Sequence, residues 1–348
     1  MSRISLASDG RDPSPAETAA RLHRLTTAAT RADNYGLGGV VAEFEARAAT
    51  LLGKEAALLV ATGTLAQMLA IEALCPPGRR RVLVQADGHV MNDTGDAAAR
   101  LGGFTLVPLA PGRPGFGAAE VEAALARIAD LRVASPAGAL VLETPVRRHH
   151  SARVPVADQL AVAACARRHG FGLHLDGARL PIEAAWSGRS LAEVAAPFDT
   201  VYLSLWKMFD CPFGAILAGP AALLEGLYHE RRRRGGGLWQ MWPPAVLGLD
   251  AAERVEGEWQ AVRRHAEAVL AALADSPWRI ERVAEGSHVV RLHLPGGDPA
   301  ATRAAALAEG LELPPPAGDG FWVKCNPGWL AREPADIAAA LSRAARPG

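Results

Sequence analysis

The sequence predicts an α/β fold: a large domain with a mainly parallel seven-stranded sheet covered by helices, and a smaller C-terminal α+β domain. Seven short apolar runs alternate with helical stretches before residue 250, and the alternation then ends. Most runs are continuously apolar, which is typical of strands covered on both faces. The predicted strands are Ala57–Val60, Arg81–Val84, Thr105–Leu109, Leu140–Glu143, Gly172–Asp176, Val201–Ser204 and Gly214–Ala218.

The other elements follow in chain order. Residues 13–53 have a polar helical pattern with a break at Asp33–Gly36. The remaining predicted elements are the helices Leu65–Leu74, Ala118–Ala129, Val156–His169, Ala251–Leu273 and Ile337–Ala345 and the strands His288–Leu294 and Phe321–Cys325. We therefore expect residues 1–249 to form an N-terminal segment with the large domain, and residues 250–348 to form the small domain.

Composition excludes several classes of protein. The chain has 348 residues, 49% of them apolar, and a formal net charge of zero, which argues against a nucleic-acid or membrane-surface protein. We expect no membrane span, since the sequence has no run of eighteen apolar residues, and no signal peptide, since residues 1–5 lack an apolar core. The cysteines are scattered without metal-ligand spacing, so we expect no metal and a reducing, cytoplasmic location. They are Cys75, Cys165, Cys211 and Cys325.

Two polar residues close predicted strands that are neighbours in the chain. Asp176 ends one strand, and Lys207 follows the next one 31 residues later, which is one strand–helix–strand step. The carboxyl ends of parallel strands meet at one edge of a sheet, so both side chains would enter one cleft. Pyridoxal 5′-phosphate (PLP) needs such a pair: an amine to bind the cofactor covalently, and a carboxylate to keep its pyridine nitrogen protonated.

Each residue also has a simpler interpretation. Asp176 could merely cap the next helix, and Lys207 could pack its stem while its amine reaches water. Lysines are scarce in this chain, however, and an amine between Trp206 and Met208 is unusual unless it is used. Partial burial would lower its pKa and favour the neutral nucleophile.

Three further features lie near these strand ends. Gly63 and Thr64 open a predicted helix whose N–H groups suit a phosphate, although Thr62 or Thr64 could simply cap it. His89 follows a strand and could stack on a flat ring or transfer protons, or be an ordinary loop histidine. Arg179 could reach the cleft or lie in solvent. A fourth feature, the arginine run 231–234 before three glycines, favours the end of a helix over a nucleic-acid patch.

The chain resembles the threonine aldolase/β-eliminating lyase family, which has the aspartate-aminotransferase (type I) PLP fold. The resemblance covers most of the chain, and Leu173–Leu180, matching L-H-L-D-G-A-R-L, is its most specific motif. The other matching stretches are Asp33–Gly36, Leu52–Leu58 and Thr62–Thr64.

The resemblance implies a role for each matching residue. Gly63 and Thr64 would bind the cofactor phosphate, and His89 would stack on the ring and assist proton transfer. Asp176 would pair with the pyridine nitrogen, and Lys207 would bind the cofactor covalently.

The resemblance also implies a substrate site and an assembly. Arg179 would face the phenolate side of the ring and the substrate, and Ser8 would lie near the substrate carboxylate. Tyr35 would approach from a neighbouring subunit of a homodimer or homotetramer with shared sites.

Departures from the family pattern concentrate around the substrate. Trp206 replaces the serine before the lysine, and Trp239 replaces an arginine that assists the phosphate. The arginine that grips the substrate carboxylate falls on Lys324, a point charge that cannot form a bidentate fork. A compensating group could be Arg147, Arg148, His149 or His150.

Three hypotheses follow. The first is a PLP-dependent lyase that cleaves the Cα–Cβ bond of a β-hydroxy amino acid to give glycine and an aldehyde, with His89 or a water it holds as the base. The second is another PLP reaction in the altered pocket, such as β-elimination, racemisation, transamination or C–C bond formation on a bulkier substrate. The third is a PLP-binding protein without catalysis. The expected partner is a small amino-acid substrate. Its identity, the stereochemistry at Cβ and the choice between dimer and tetramer stay open.

Overall fold

The computed structural model describes residues 3–345. The strands are β1 (Ile4–Ser5), β2 (Ala56–Val60), β3 (Arg81–Gln85), β4 (Thr105–Leu109), β5 (Ala137–Glu143), β6 (Gly172–Asp176), β7 (Thr200–Ser204), β8 (Ala215–Gly219), β9 (Arg279–Arg282), β10 (Val289–His293), β11 (Leu311–Glu312) and β12 (Gly320–Lys324).

The helices are α1 (Pro15–Leu25), α2 (Gly39–Leu51), α3 (Gly63–Leu74), α4 (His89–Asn92), α5 (Ala97–Gly102), α6 (Ala118–Ala129), α7 (Val156–His169), α8 (Leu180–Ser187), α9 (Leu191–Ala195), α10 (Leu205–Met208), α11 (Ala221–Leu224), α12 (Leu227–Arg233), α13 (Trp242–Ala252), α14 (Val255–Ala272), α15 (Pro299–Ala308) and α16 (Pro334–Ala344). Short 3-10 turns cover Arg147–His149 and Pro327–Ala331.

A seven-stranded sheet forms the centre of the fold, with the strand order β2-β8-β7-β6-β5-β3-β4. Strands β4, β3, β5, β6 and β7 pair in parallel, and β8 runs antiparallel to both of its neighbours. The prediction of an α/β fold with a mainly parallel seven-stranded sheet is therefore confirmed, and all seven predicted strands belong to that sheet.

Alternate residues of the central strands enter different apolar clusters. In β3, Leu83 packs in the largest cluster, whereas Val82 and Val84 pack in a second one. In β7, Val201 packs in the largest cluster and Tyr202 in a third. Since successive side chains point to opposite faces of a strand, both faces of the sheet are covered, which explains the continuous apolar runs.

The last hundred residues build a second, smaller unit around an antiparallel sheet with the order β12-β10-β9. The N-terminal strand β1 joins this region by pairing in parallel with β11. The predicted long helix over 251–273 is wrong at its start, because α13 and α14 are separated by a turn at Glu253–Arg254. Both turn residues keep right-handed helical backbone angles, so no glycine or proline marks the break.

The parallel strands place their carboxyl ends at one edge of the large sheet. Three of these ends, those of β3, β6 and β7, lead into His89, Asp176 and Lys207, which is the position expected for a ligand in an open α/β sheet. No helix within residues 3–345 is both long enough and apolar enough to cross a membrane.

Candidate active site

The carboxyl ends of β6 and β7 carry the predicted carboxylate and amine. Asp176 is the last residue of β6, and Lys207 lies in α10 directly after β7. The two strands pair in parallel, so both residues lie at the same edge of the sheet. Their side chains are close enough that the charge of each shifts the pKa of the other.

Asp176 is a buried carboxylate with one unsatisfied oxygen. Its Oδ1 accepts a hydrogen bond from the N–H of Ala178 at 3.2 Å, whereas its Oδ2 is buried with no hydrogen-bond partner among residues 3–345. Burial raises the pKa of Asp176, and the opposing charge of Lys207 reduces that rise. A buried acceptor of this kind requires a donor, and a protonated ring nitrogen would supply one.

Lys207 is a partly buried amine with an unusually low proton affinity. Burial, and then the nearby charge of Arg179, lower its pKa to about 8. Its Nζ lies 4.9 Å from the centre of the Trp206 ring, and 57% of Trp206 is exposed. Trp206 therefore places an exposed indole beside the amine.

Arg179 is buried and engaged with a carboxylate that the sequence analysis did not identify. Its Nε and Nη2 donate to Oδ2 of Asp9 at 3.0 and 2.7 Å. The other oxygen of Asp9 lies 2.9 Å from Nζ of Lys324 and 3.2 Å from Nε2 of His288. Burial opposes ionisation of Asp9, but Arg179, His288 and Lys324 hold its pKa well below its usual range.

His89 begins α4 at the end of a third strand. Its backbone N–H donates to Oε2 of Glu143 at 2.6 Å, and Glu143 lies opposite Asp176 in the β5–β6 pairing. The imidazole Nδ1 is 3.6 Å from a carboxylate oxygen of Asp93. Burial, and then the charge of Lys207, lower the pKa of His89 below its ordinary value. The imidazole is therefore neutral near pH 7 and can accept a proton.

Gly63 and Thr64 form the first turn of α3. Thr62 caps this helix by accepting a hydrogen bond from the N–H of Leu65 at 3.2 Å. The capping interpretation is therefore correct for Thr62, and it is compatible with a phosphate at the remaining N–H groups. A side chain at Gly63 would collide with the Tyr202 hydroxyl, so glycine is required here by close packing.

Ser8 and Tyr35 lie in different surroundings. Ser8 precedes Asp9, and its backbone carbonyl accepts a hydrogen bond from the side chain of Asn326 at 2.9 Å. Tyr35 instead contacts the edge of Trp239 at 5.0 Å between ring centres, with the Arg232 guanidinium 4.2 Å from its ring centre. The structure thus places Ser8 next to the Asp9 cluster, which consists of Asp9, Arg179, His288 and Lys324. Tyr35 packs with Trp239 and Arg232 instead.

Each side chain of the basic segment 147–150 is paired with, or stacked on, a neighbouring side chain. The contacts are Arg147–Asp93 and Arg148–Asp93 at 2.7 Å each, His149–Asp87 at 2.8 Å, and His150 stacked on Trp322 with 3.7 Å between ring centres. In this arrangement none of the four residues faces the Asp9 cluster as an unpaired cation. The segment instead holds Asp93 beside His89.

The arginine run contains one residue that points inward. Helix α12 ends at Arg233 and Gly235 has a φ of +78°, in line with the expected helix end. Arg231, however, is fully buried and donates to the carbonyls of Leu59 at 2.7 Å and Tyr35 at 2.8 Å. Arg231 therefore stabilises the interior by bonding to two backbone carbonyls, and it is not part of an exposed basic surface.

A cluster of potential metal ligands lies outside this site, between α6 and α7. Glu122, Cys165 and His169 approach one another within 4.8 Å, although the sequence showed no ligand spacing. Glu122 already accepts hydrogen bonds from Arg168 at 2.9 Å and Cys165 at 3.3 Å. These contacts satisfy the carboxylate without an ion.

Residues 7–294 match the family model described as beta-eliminating lyase, and the chain belongs to that family. A probable low-specificity L-threonine aldolase of Schizosaccharomyces pombe is 31% identical over 208 residues, which are 60% of this chain and 54% of the relative. The alanine racemase TOXG of Cochliobolus carbonum is 28% identical over 57% of this chain and 50% of its own. The chain thus spans about half the length of these curated relatives.

Solved structures share the fold. A protein from Listeria monocytogenes assigned as an L-allo-threonine aldolase superposes with a TM-score of 0.82 at 23% identity, over 98% of this chain and 95% of that one. A serine palmitoyltransferase variant from S. paucimobilis with a bound PLP adduct gives 0.68 at 18% identity, over 99% and 86%.

The family and these neighbours identify PLP as the cofactor. The chemistry of the site fits this cofactor. In the described part of the chain no donor reaches the buried Oδ2 of Asp176, Lys207 supplies an amine of lowered pKa, and α3 begins at the same sheet edge.

Proposed function

We propose that the protein is a PLP-dependent lyase that cleaves the Cα–Cβ bond of a β-hydroxy amino acid to glycine and an aldehyde. The observation that carries the proposal is that Lys207, Asp176 and His89 all follow or end strands at the same edge of the large sheet. An amine, a ring-facing carboxylate and a neutral imidazole are the three groups that this reaction requires.

The chain's own residues would hold the cofactor at five points. Lys207 would bind it covalently and Asp176 would accept the pyridine N–H. The N–H groups of Gly63 and Thr64 would bind its phosphate, and His89 would stack on the ring. When bound, PLP would supply the acceptor for negative charge released at Cα.

His89 would remove the proton of the substrate's β-hydroxyl, directly or through a water that it holds. Its lowered pKa keeps the imidazole neutral and ready to accept this proton. Asp93 is held by Arg147 and Arg148. It would orient the imidazole of His89 and stabilise the positive charge that this imidazole gains with the proton.

The substrate's α-carboxylate would bind near Arg179, Lys324 and Ser8. Both cations are already directed to one point by Asp9. Because Lys324 offers a single ammonium where the family has a guanidinium, Arg179 would be the main determinant of carboxylate orientation.

The direct test is product analysis with L-threonine and L-allo-threonine. We expect glycine and acetaldehyde in equal amounts from the wild-type protein and none from Lys207→Ala. Lys54→Ala is the matched control, since that amine bonds to the backbone carbonyl of Phe198 outside the site. Activity retained in Lys207→Ala would contradict the assignment of the amine.

A second candidate is another PLP reaction on a different amino acid, such as β-elimination, racemisation, transamination or C–C bond formation. The observation in its favour is Trp206, an exposed ring 4.9 Å from the reacting amine. One relative is named as an alanine racemase, and alanine is an amino acid without a β-hydroxyl group. An amino-acid screen would favour this candidate if threonine gave no aldehyde while another substrate turned over. A bound cofactor inert to every amino acid would indicate a non-catalytic protein.

We further propose a homodimer or homotetramer in which Tyr35 reaches the neighbouring subunit's site. Next to Tyr35 lie the exposed apolar side chains of Leu37 and Trp239, which are 55% and 60% accessible and which a second subunit could cover. Light scattering would measure the assembly. The free state of all four cysteines supports the proposed reducing, cytoplasmic location.

A further inference from the structure

One carboxylate connects both parts of the molecule at the candidate site. Asp9, with a side chain only 10% exposed, bonds through Oδ2 to the Nε and Nη2 of Arg179. Through Oδ1 it contacts Lys324 at 2.9 Å and His288 at 3.2 Å. Arg179 follows a strand of the large sheet, whereas Lys324 ends β12 and His288 precedes β10 of the small sheet. Asp9 therefore fixes the relative position of cations from two sheets.

The charges of this group do not balance. Arg179 and Lys324 carry two positive charges, and Asp9 carries one negative charge. His288 is neutral, because burial lowers its pKa and Asp9 only partly reverses this effect. Among these four side chains one positive charge is left over. The other carboxyls that act on Arg179, those of Glu143 and Asp176, have pKa values raised by burial, which disfavours their charged forms. A carboxylate bound beside Arg179 and Lys324 would therefore be attracted by the remaining positive charge.

Arg179 and Lys324 both keep hydrogen-bond donors after binding Asp9. Arg179 donates hydrogen bonds from Nε and Nη2 to Asp9, and its Nη1 makes no hydrogen bond to any residue within 3–345. The Lys324 side chain is 30% exposed, and its ammonium has further N–H donors besides the one directed at Asp9. A second carboxylate could bind these two groups without displacing Asp9.

We propose that Asp9 is the positioning residue of the substrate-carboxylate site, an inference that rests on the proposed function. It holds the guanidinium edge of Arg179 and tethers Lys324, so that one further carboxylate completes the charge balance. Without Asp9, the carboxylates left around Arg179 are Glu143 and Asp176, which already act on its charge. Arg179 would turn towards them, and carboxylate recognition would be lost although the total positive charge rises.

The test compares L-threonine with L-threoninamide, which differ only in the carboxylate. Binding to the holoenzyme is followed by the change in cofactor absorbance. We expect the preference of the wild-type protein for the acid over the amide to fall at least about tenfold in Asp9→Asn, while amide affinity changes by less than about threefold. Loss of structure alone would weaken both ligands equally. Asp12→Asn, an exposed aspartate on the same segment, is the control and should keep the wild-type preference.

A second variant covers the possibility that Asp9→Asn does not fold. Lys324→Gln alters a partly exposed side chain and leaves the Asp9–Arg179 pair in place, and it should also lower the acid-over-amide preference. In the double variant the loss should be smaller than the product of the two single losses, because both act through one contact. An unchanged preference in either folded single variant overturns the proposal. Selective binding of acids by a protein that releases no aldehyde would instead refute the proposed reaction and leave the role of Asp9 intact.

Discussion

The lowered pKa of Lys207 predicts how fast the protein, once stripped of cofactor, reacts with added PLP as the pH changes. With a pKa of about 8, about a tenth of the Lys207 amines are neutral at pH 7, against roughly one in 2,500 for an ordinary lysine. Since only the neutral amine attacks the cofactor aldehyde, Lys207 should react roughly 200-fold faster at pH 7 than an unperturbed lysine of equal access. The rate should rise with pH and level off above a midpoint near 8.

Stopped-flow absorbance at a series of pH values measures this rate. The chain has three lysines, Lys54, Lys207 and Lys324, so borohydride reduction followed by mass spectrometry can assign the modified residue without ambiguity. Lys207→Ala should remove the fast phase, and Lys54→Ala should retain it. A midpoint above about pH 9.5, in the range of an ordinary lysine, would refute the argument that burial and Arg179 depress this pKa.

Three other predictions follow from single contacts. Trp206→Ser should change the ratio of kcat/KM between bulky and small β-hydroxy amino acids by about tenfold, while the cofactor stays bound; an unchanged ratio would exclude Trp206 from the substrate pocket. Asp93→Asn should lower the pKa of His89 further, because the carboxylate raises it, and so move the acid limb of the kcat/KM profile to lower pH; an upward shift would show that another group controls that limb. Arg231→Met should lower the free energy of unfolding, measured by urea titration, by about 2–4 kcal/mol, because two buried carbonyls lose their donors. Arg233 is exposed, so the control Arg233→Met should change this free energy by less than about 0.5 kcal/mol.

The large sheet can be predicted from sequence because burial on both faces leaves a strong local signal. Strands such as β5 and β7 are buried along their whole length, so each is a continuous apolar run bounded by polar residues. The same logic locates Asp176 and Lys207, because a polar residue that ends such a run must lie at the sheet edge. The break between α13 and α14 escapes prediction because its residues remain in the helical region.

The contacts of Asp9 cannot be predicted in this way. Its partners Arg179, His288 and Lys324 are separated from it by 170 or more residues, and no periodic pattern connects them. The Ala7–Asp9 segment is visible in the sequence, but only the folded chain reveals that its aspartate faces two cations. Arg231 is similar, since a run of four arginines gives no sign that one of them is buried.

The pairing of β1 with β11 determines the order in which parts of the chain can fold during synthesis. Ile4 and Ser5 pair with Leu311 and Glu312, so the first strand stays unpaired until those two residues have been synthesised. Asp9 meets Lys324 later still. During synthesis the large sheet with Asp176 and Lys207 can therefore form before Lys324 reaches Asp9, so the proposed carboxylate site would be completed after the proposed cofactor site.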